Sequence, residues 1–114
     1  EDVIKFVLRE VRRERKYDVI IMDPPVYGRG PNGELWQIET SLTRLVEECV
    51  KLLSSSPILF LINCYTASFS HISLKNILQT QIKNNGFFES GEIALPIENT
   101  DLILPSGIYA RFFT

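Results

Sequence analysis

Cysteine is scarce in this 114-residue chain, and the two copies, Cys49 and Cys64, form no CxxC pair. That rules out a disulfide scaffold and a cysteine-rich metal knuckle, and it points to a reducing, cytoplasmic compartment. No apolar run approaches the roughly 18 residues of a membrane span, and no signal-peptide pattern is present. Charge of either sign is not in excess: the formal net charge is −2, so there is no global attraction to nucleic acid or to a membrane surface. A G-x-x-x-x-G-K-[ST] segment is missing as well. "GRGPNG" does not replace it, because Pro31 interrupts it and no helix opens at its last glycine, so nucleotide hydrolysis is excluded. There is no internal repeat, low-complexity tract or linker.

What is present is the composition of an ordinary folded domain, 45% hydrophobic, of a size for one domain or part of a larger one. Six of the twelve Lys and Arg residues fall in the first sixteen positions (Lys5, Arg9, Arg12, Arg13, Arg15 and Lys16). Glu10 and Glu14 interrupt that run, which therefore reads as a solvated helix face, with a polyanion-facing patch as the alternative.

Hydrophobic spacing predicts a helix from Val3 to Lys16 with Asp2 as its N-cap, then a short apolar strand from Tyr17 to Met22 covered on both faces. Asp23 to Gln37 holds Pro24, Pro25, Gly28, Gly30, Pro31 and Gly33 and reads as loop. A second helix is predicted from Ser41 to Leu53, a buried strand from Pro57 to Ile62, a loop over "NCYTASFSH", and a third helix from Ser73 to Asn84 closed by Asn85-Gly86. Phe87 to Leu95 and Ile108 to Phe113 read as a hairpin with an elaborated connection. Alternating helices and buried strands imply an α/β fold with a parallel sheet, to which the last pair adds an antiparallel member. Such sheets bind ligands beyond the carboxyl ends of their strands, where Asp23 and Asn63 fall.

The turn at that end is unusual. Proline fixes φ near −65° and holds the residue before it extended, so Asp23-Pro24-Pro25 has little backbone freedom. Its prolines donate no N–H, which leaves oxygen acceptors at set positions beside a strand's end. The alternative is a merely rigid loop start.

"YDVIIMDPPVYGRGPNGELW" resembles the motif-four region of class I S-adenosylmethionine-dependent methyltransferases. More narrowly it is similar to the bacterial ribosomal-RNA methyltransferase-like group, in which a strand runs into Asp-Pro-Pro and a Gly-Arg-Gly loop ending near Trp. The similarity continues through "LFLINCYTASFS" and "LPSGIYARFF". It implies the C-terminal half of a Rossmann-like catalytic domain, strands four to seven flanked by helices and ending in an antiparallel hairpin. The strand-GxGxG-helix half that grips the cofactor is expected to lie outside these residues. Without it the Tyr17–Met22 strand would present an apolar sheet edge.

The resemblance implies S-adenosylmethionine as cofactor and an RNA substrate, ribosomal RNA foremost, with the missing half-domain as a partner and a homodimer left open. Asp2 matches the acidic residue that contacts the adenine amino group, with the Val3 N–H beside it, and Asp23 and Pro25 would border the cofactor. Methyl transfer from a sulfonium is an in-line displacement that depends on alignment more than on strong acids or bases. With an exocyclic amine as acceptor, Asp23 and the Pro24 carbonyl would take its N–H bonds, although Val26 stands where amine methyltransferases often place an aromatic. With carbon 5 of a pyrimidine as acceptor, Cys64 would be the attacking thiolate. Arg29 would pair with phosphate. Tyr27, Trp36 and Tyr65 would stack on a base or anchor their loops, and Asn63 would line the pocket. Cys49 reads as core and His71 as a surface or capping residue. A non-catalytic interaction or RNA-binding half-domain is the alternative function.

Overall fold

The computed structural model describes residues 2–30 and 32–114. Asp2 opens the chain's first helix: its carboxylate accepts the backbone N–H groups of Ile4 (2.9 Å) and Lys5 (3.3 Å), two of the donors that a helix start leaves free. Helix α1 (Val3–Arg12) stops short of the expected Lys16, because Glu14 takes φ +55°, outside the helical range. Strand β1 (Val19–Met22) then runs to the Asp-Pro-Pro turn.

The next segment departs from expectation. Instead of an unstructured loop, Tyr27–Arg29 (β2) and Leu35–Gln37 (β3) form a small antiparallel ribbon, turned through Gly33 at φ +82°. Helix α2 (Ile38–Val50) begins directly after β3 and buries Ile38, Leu42, Leu45, Val46 and Cys49 along one stripe. β4 (Leu59–Cys64) alternates half-buried and buried residues, so the expected strand is shifted and includes Asn63 and Cys64. α3 (His71–Gln81) is capped by the Ser70 hydroxyl, which accepts the Ser73 N–H at 3.3 Å. β5 (Phe87–Pro96) and β6 (Ile103–Phe113) are longer than their sequence pattern suggests, and their connection is correspondingly short.

The main sheet has the order β1-β4-β6-β5, with β1 and β4 parallel and the remaining pairs antiparallel. The α/β class, the parallel pair and the terminal antiparallel hairpin are all as expected. α2 and α3 cover one face, over a core built from Phe60, Ile62, Ala110 and Phe112 of the sheet and Val46, Leu74 and Leu78 of the helices. Burying side chains of this size stabilises by about 1.5–3 kcal/mol each. The second face is not closed in the same way: in β1, Val19 (44% exposed) and Ile21 (63%) lie open, against the expectation of a strand covered on both sides.

Gly86 does not terminate α3, whose C-cap is Ile82 in extended conformation. It makes room instead, since a Cβ there would clash with the Phe112 ring. No helix among the described residues is long and apolar enough to cross a membrane.

Candidate active site

At the carboxyl end of β1 the chain opens into a broad cleft of about 1130 Å³. Its floor and sides come from three sources: the start of α1 (Asp2, Val3, Phe6 and Val7), the length of β1, and the ribbon with the first turns of α2. Asp23, Pro24 and Pro25 line it, as do Arg29 and Trp36. Of the residues singled out from the sequence, Asp2, Val3, Asp23, Pro24, Pro25, Arg29 and Trp36 line this one hollow. Asp23 is exposed, but it borders the cleft and does not stand on an open convex surface.

The four other expected site residues lie elsewhere. Tyr27 is exposed, and its hydroxyl accepts the Arg29 Nε–H at 3.1 Å, which ties the two β2 side chains together. Tyr65 is 73% exposed, just past β4. Asn63 is half-buried in β4, opposite Tyr109 of β6. Cys64 is 4% exposed and belongs to the core. Burial, and secondly the charge of Asp23, push its thiol up to about 11. A thiol so placed is protonated near neutrality and is not a ready nucleophile. Cys49 is core, as expected, and burial likewise raises it to about 11.

Trp36 anchors the turn. Its indole Nε1–H donates to the Pro25 carbonyl at 2.5 Å, and the Ile38 N–H donates to the Val26 carbonyl at 3.1 Å. Glu34, at the rim, is held below the usual carboxylate range by hydrogen bonds from its own N–H and from that of Asn32. Ser68 donates to Glu39 at 2.6 Å, which links the loop after β4 to the first turn of α2 and lowers the Glu39 pKa. His71 starts α3, with Nδ1 2.8 Å from the Ser90 hydroxyl, a structural contact away from the cleft.

The N-terminal basic run is largely engaged at the surface. The Arg9 guanidinium lies 5.3 Å from the Phe6 ring centre, Arg13 reaches Glu10 at 4.0 Å, and Lys16 donates to the Lys51 carbonyl at 2.7 Å. These contacts fit the solvated-face reading.

Sequence reasoning missed Arg44, which lines the cleft from α2 together with Thr40 and Ser41. A cation on the polar side of a helix carries no local mark of what it faces. Arg29 and Arg44 give the hollow two guanidinium groups, and Asp2, Asp23 and Glu34 give it three carboxylates. Among the described residues no group of three or more His, Cys, Asp or Glu is placed to hold a metal.

The chain matches no protein-family model and no curated protein. Solved structures do resemble it. The SAM-dependent methyltransferase from Agrobacterium tumefaciens superposes with a TM-score of 0.90 at 30% identity, covering 99% of this chain and 38% of that one. SMU.776, complexed with SAH, matches at a TM-score of 0.68 and 19% identity over 98% of this chain and 30% of its own. The M1.HpyAVI–SAM complex matches at 0.55 and 16%, over 99% of this chain and 52% of its own. This chain thus spans well under half of the first two proteins. Its sheet, helices and connections are those of the Rossmann-like methyltransferase fold.

Proposed function

We propose that this chain forms the Asp-Pro-Pro side of an S-adenosylmethionine-dependent methyltransferase site, and that the methyl acceptor is a base of RNA, ribosomal RNA foremost. One observation carries the reading: the stiff turn at residues 23–25 borders a cleft whose other flank is the open edge of β1. Ligand pockets commonly measure about 300–1,000 Å³, so the hollow has room for a nucleoside-sized cofactor and part of a base. Structural likeness to methyltransferases described with SAM or SAH supports the choice of cofactor.

The residues fit that cofactor on this side. Asp2 offers a carboxylate with the Val3 N–H beside it, the N–H groups of Ile4, Lys5 and Phe6 being taken up by Asp2 itself, and β1 offers an apolar wall. S-adenosylmethionine, when bound, supplies an electrophilic methyl group on a sulfonium that leaves as a neutral thioether. Asp23 and the Pro24 carbonyl accept N–H bonds from an acceptor amine and direct its lone pair, and the proton released once the nitrogen is methylated passes to the Asp23 carboxylate and on to water. Because Cys64 is buried and its thiol is raised, the route through a covalent thiolate adduct lacks its nucleophile. An acceptor that attacks through its own lone pair is the reading this favours. Arg29 and Arg44 would meet the phosphates flanking the base.

The open edge of β1 would pair with polypeptide beyond these residues, which would complete the second wall. Calorimetry with S-adenosylhomocysteine tests this directly. Binding by a polypeptide that includes the additional strands, with transfer lost in Asp23→Ala and the fold retained, is the expected result. Undiminished methyl transfer by Asp23→Ala would refute the role. Absence of binding by any length of the polypeptide would favour the interaction-module alternative.

A further inference from the structure

The Asp-Pro-Pro turn has one torsion that its sequence leaves loose. The two prolines fix their own φ angles, and each also restricts ψ of the residue before it, so Asp23 and Pro24 are held extended. Pro25 is followed by Val26, so nothing in the sequence restrains the Pro25 ψ, which swings its carbonyl and re-aims the ribbon relative to the turn. The structure supplies the restraint from β3. Trp36 packs against the buried core on one side, and its indole N–H holds the Pro25 carbonyl at 2.5 Å on the other. The Ile38 N–H to Val26 carbonyl bond, at 3.1 Å, is a second tie one residue further on.

We infer that Trp36 is a positioning residue: its indole N–H locks the Pro25 carbonyl and so fixes Asp23 relative to the cleft wall that carries Arg29. This rests on the reading of the turn as the acceptor side of a methyl-transfer site. It assigns the indole an in-plane bracing role in place of stacking on a base.

Two measurements test it. Trp36 is the chain's one tryptophan, so a single indole N–H resonance reports its bond. In the 114-residue chain that proton should lie downfield of a free indole and exchange with water about tenfold or more slowly. A free-indole shift and exchange rate would overturn the inference. In the polypeptide that transfers methyl groups, Trp36→Phe should lower kcat by about tenfold, with both KM values and Tm nearly unchanged. Replacing Trp36 with 3-benzothienylalanine, which keeps the ring shape and has sulfur in place of N–H, should reproduce that loss. This second variant decides the matter if Trp36→Phe folds poorly.

Asp23→Ala run in parallel separates the two levels. If Asp23→Ala is inactive while the benzothienyl variant keeps full kcat, the positioning role is wrong and the proposed function stands. If Asp23→Ala is fully active, the proposed role of the Asp-Pro-Pro turn is wrong, and the resonance measurement alone decides whether the brace exists.

Discussion

The charge of Asp23 reaches the thiol of Cys64 across the neighbouring carboxyl ends of β1 and β4, which pair in parallel up to Met22 and Ile62. Burial is the larger cause of the raised thiol pKa and the carboxylate the smaller. Alkylation by iodoacetamide should therefore titrate with a midpoint near 11, and Asp23→Asn should lower that midpoint while leaving it above the ordinary 9.0. An unmoved midpoint would mean that the two groups do not sense each other. Under the proposed function, Cys64→Ser should retain methyl transfer in a polypeptide that carries the additional strands.

Glu89 ties two residues of β6 together. The Tyr109 hydroxyl donates to one carboxylate oxygen at 2.6 Å, and the Arg111 guanidinium donates to the other at 3.1 Å. The Tyr109 bond, then the Arg111 bond, hold the Glu89 carboxyl below 4.5, and the Tyr109 bond raises the tyrosine above 10.0. For the glutamate the contribution is complete above 4.5 and fades as pH falls through its lowered folded value. For the tyrosine it is complete below 10.0 and fades as pH rises through its raised folded value. Urea midpoints measured from roughly pH 3 to 11 should fall at both ends in the wild type, and Glu89→Gln should flatten both limbs.

Asp2 has two roles to separate. Asp2→Ala should cost about 1 kcal/mol of stability through loss of the cap, whereas Asp2→Ser should keep most of it. If Asp2 also contacts a bound cofactor, as proposed, Asp2→Ser should weaken S-adenosylhomocysteine binding by the longer polypeptide despite normal stability. Calorimetry and thermal melts together distinguish the roles.

Gly107 passes close to the end of β4 at φ +126°, and a Cβ there would sit 2.8 Å from the Cys64 carbonyl oxygen. Both the backbone strain and the clash oppose a side chain. Gly107→Ala should destabilise by about 1–3 kcal/mol, read from chemical denaturation.

The parts of the fold that could be read in advance are those where burial writes a simple pattern. "VIIM" and "LFLI" are apolar runs of strand length, and α2 shows its stripe plainly. The β2–β3 ribbon was hidden because glycine and proline dominate its surroundings and each strand holds only three residues. The start of α2 was misplaced because Gln37 makes no side-chain capping bond, so no residue announces it. α3 did have a signal, the Ser70 cap, three residues before the predicted start. The length of the final hairpin was obscured by Pro96 and Pro105, which sit where they do little harm: at the end of an outer strand and beside a register shift. In the site, the proline-stiffened turn marks itself by composition. The cleft contribution of Arg44 and the brace from Trp36 depend on which elements fold against each other, and local spacing does not encode that.

The two ends of β6 live in different circumstances. From Ile108 to Phe113 it is hydrogen-bonded on both sides, to β4 and β5, whereas from Ile103 to Gly107 β5 is its one strand partner among the described residues. A two-stranded ribbon is marginal by itself, so the projecting arm can fray without disturbing the interior. Amide protection along this one strand should accordingly rise in a step near Ile108, and the apolar tip carrying Leu102, Ile103 and Leu104 becomes the first segment a protease or a chaperone would sample.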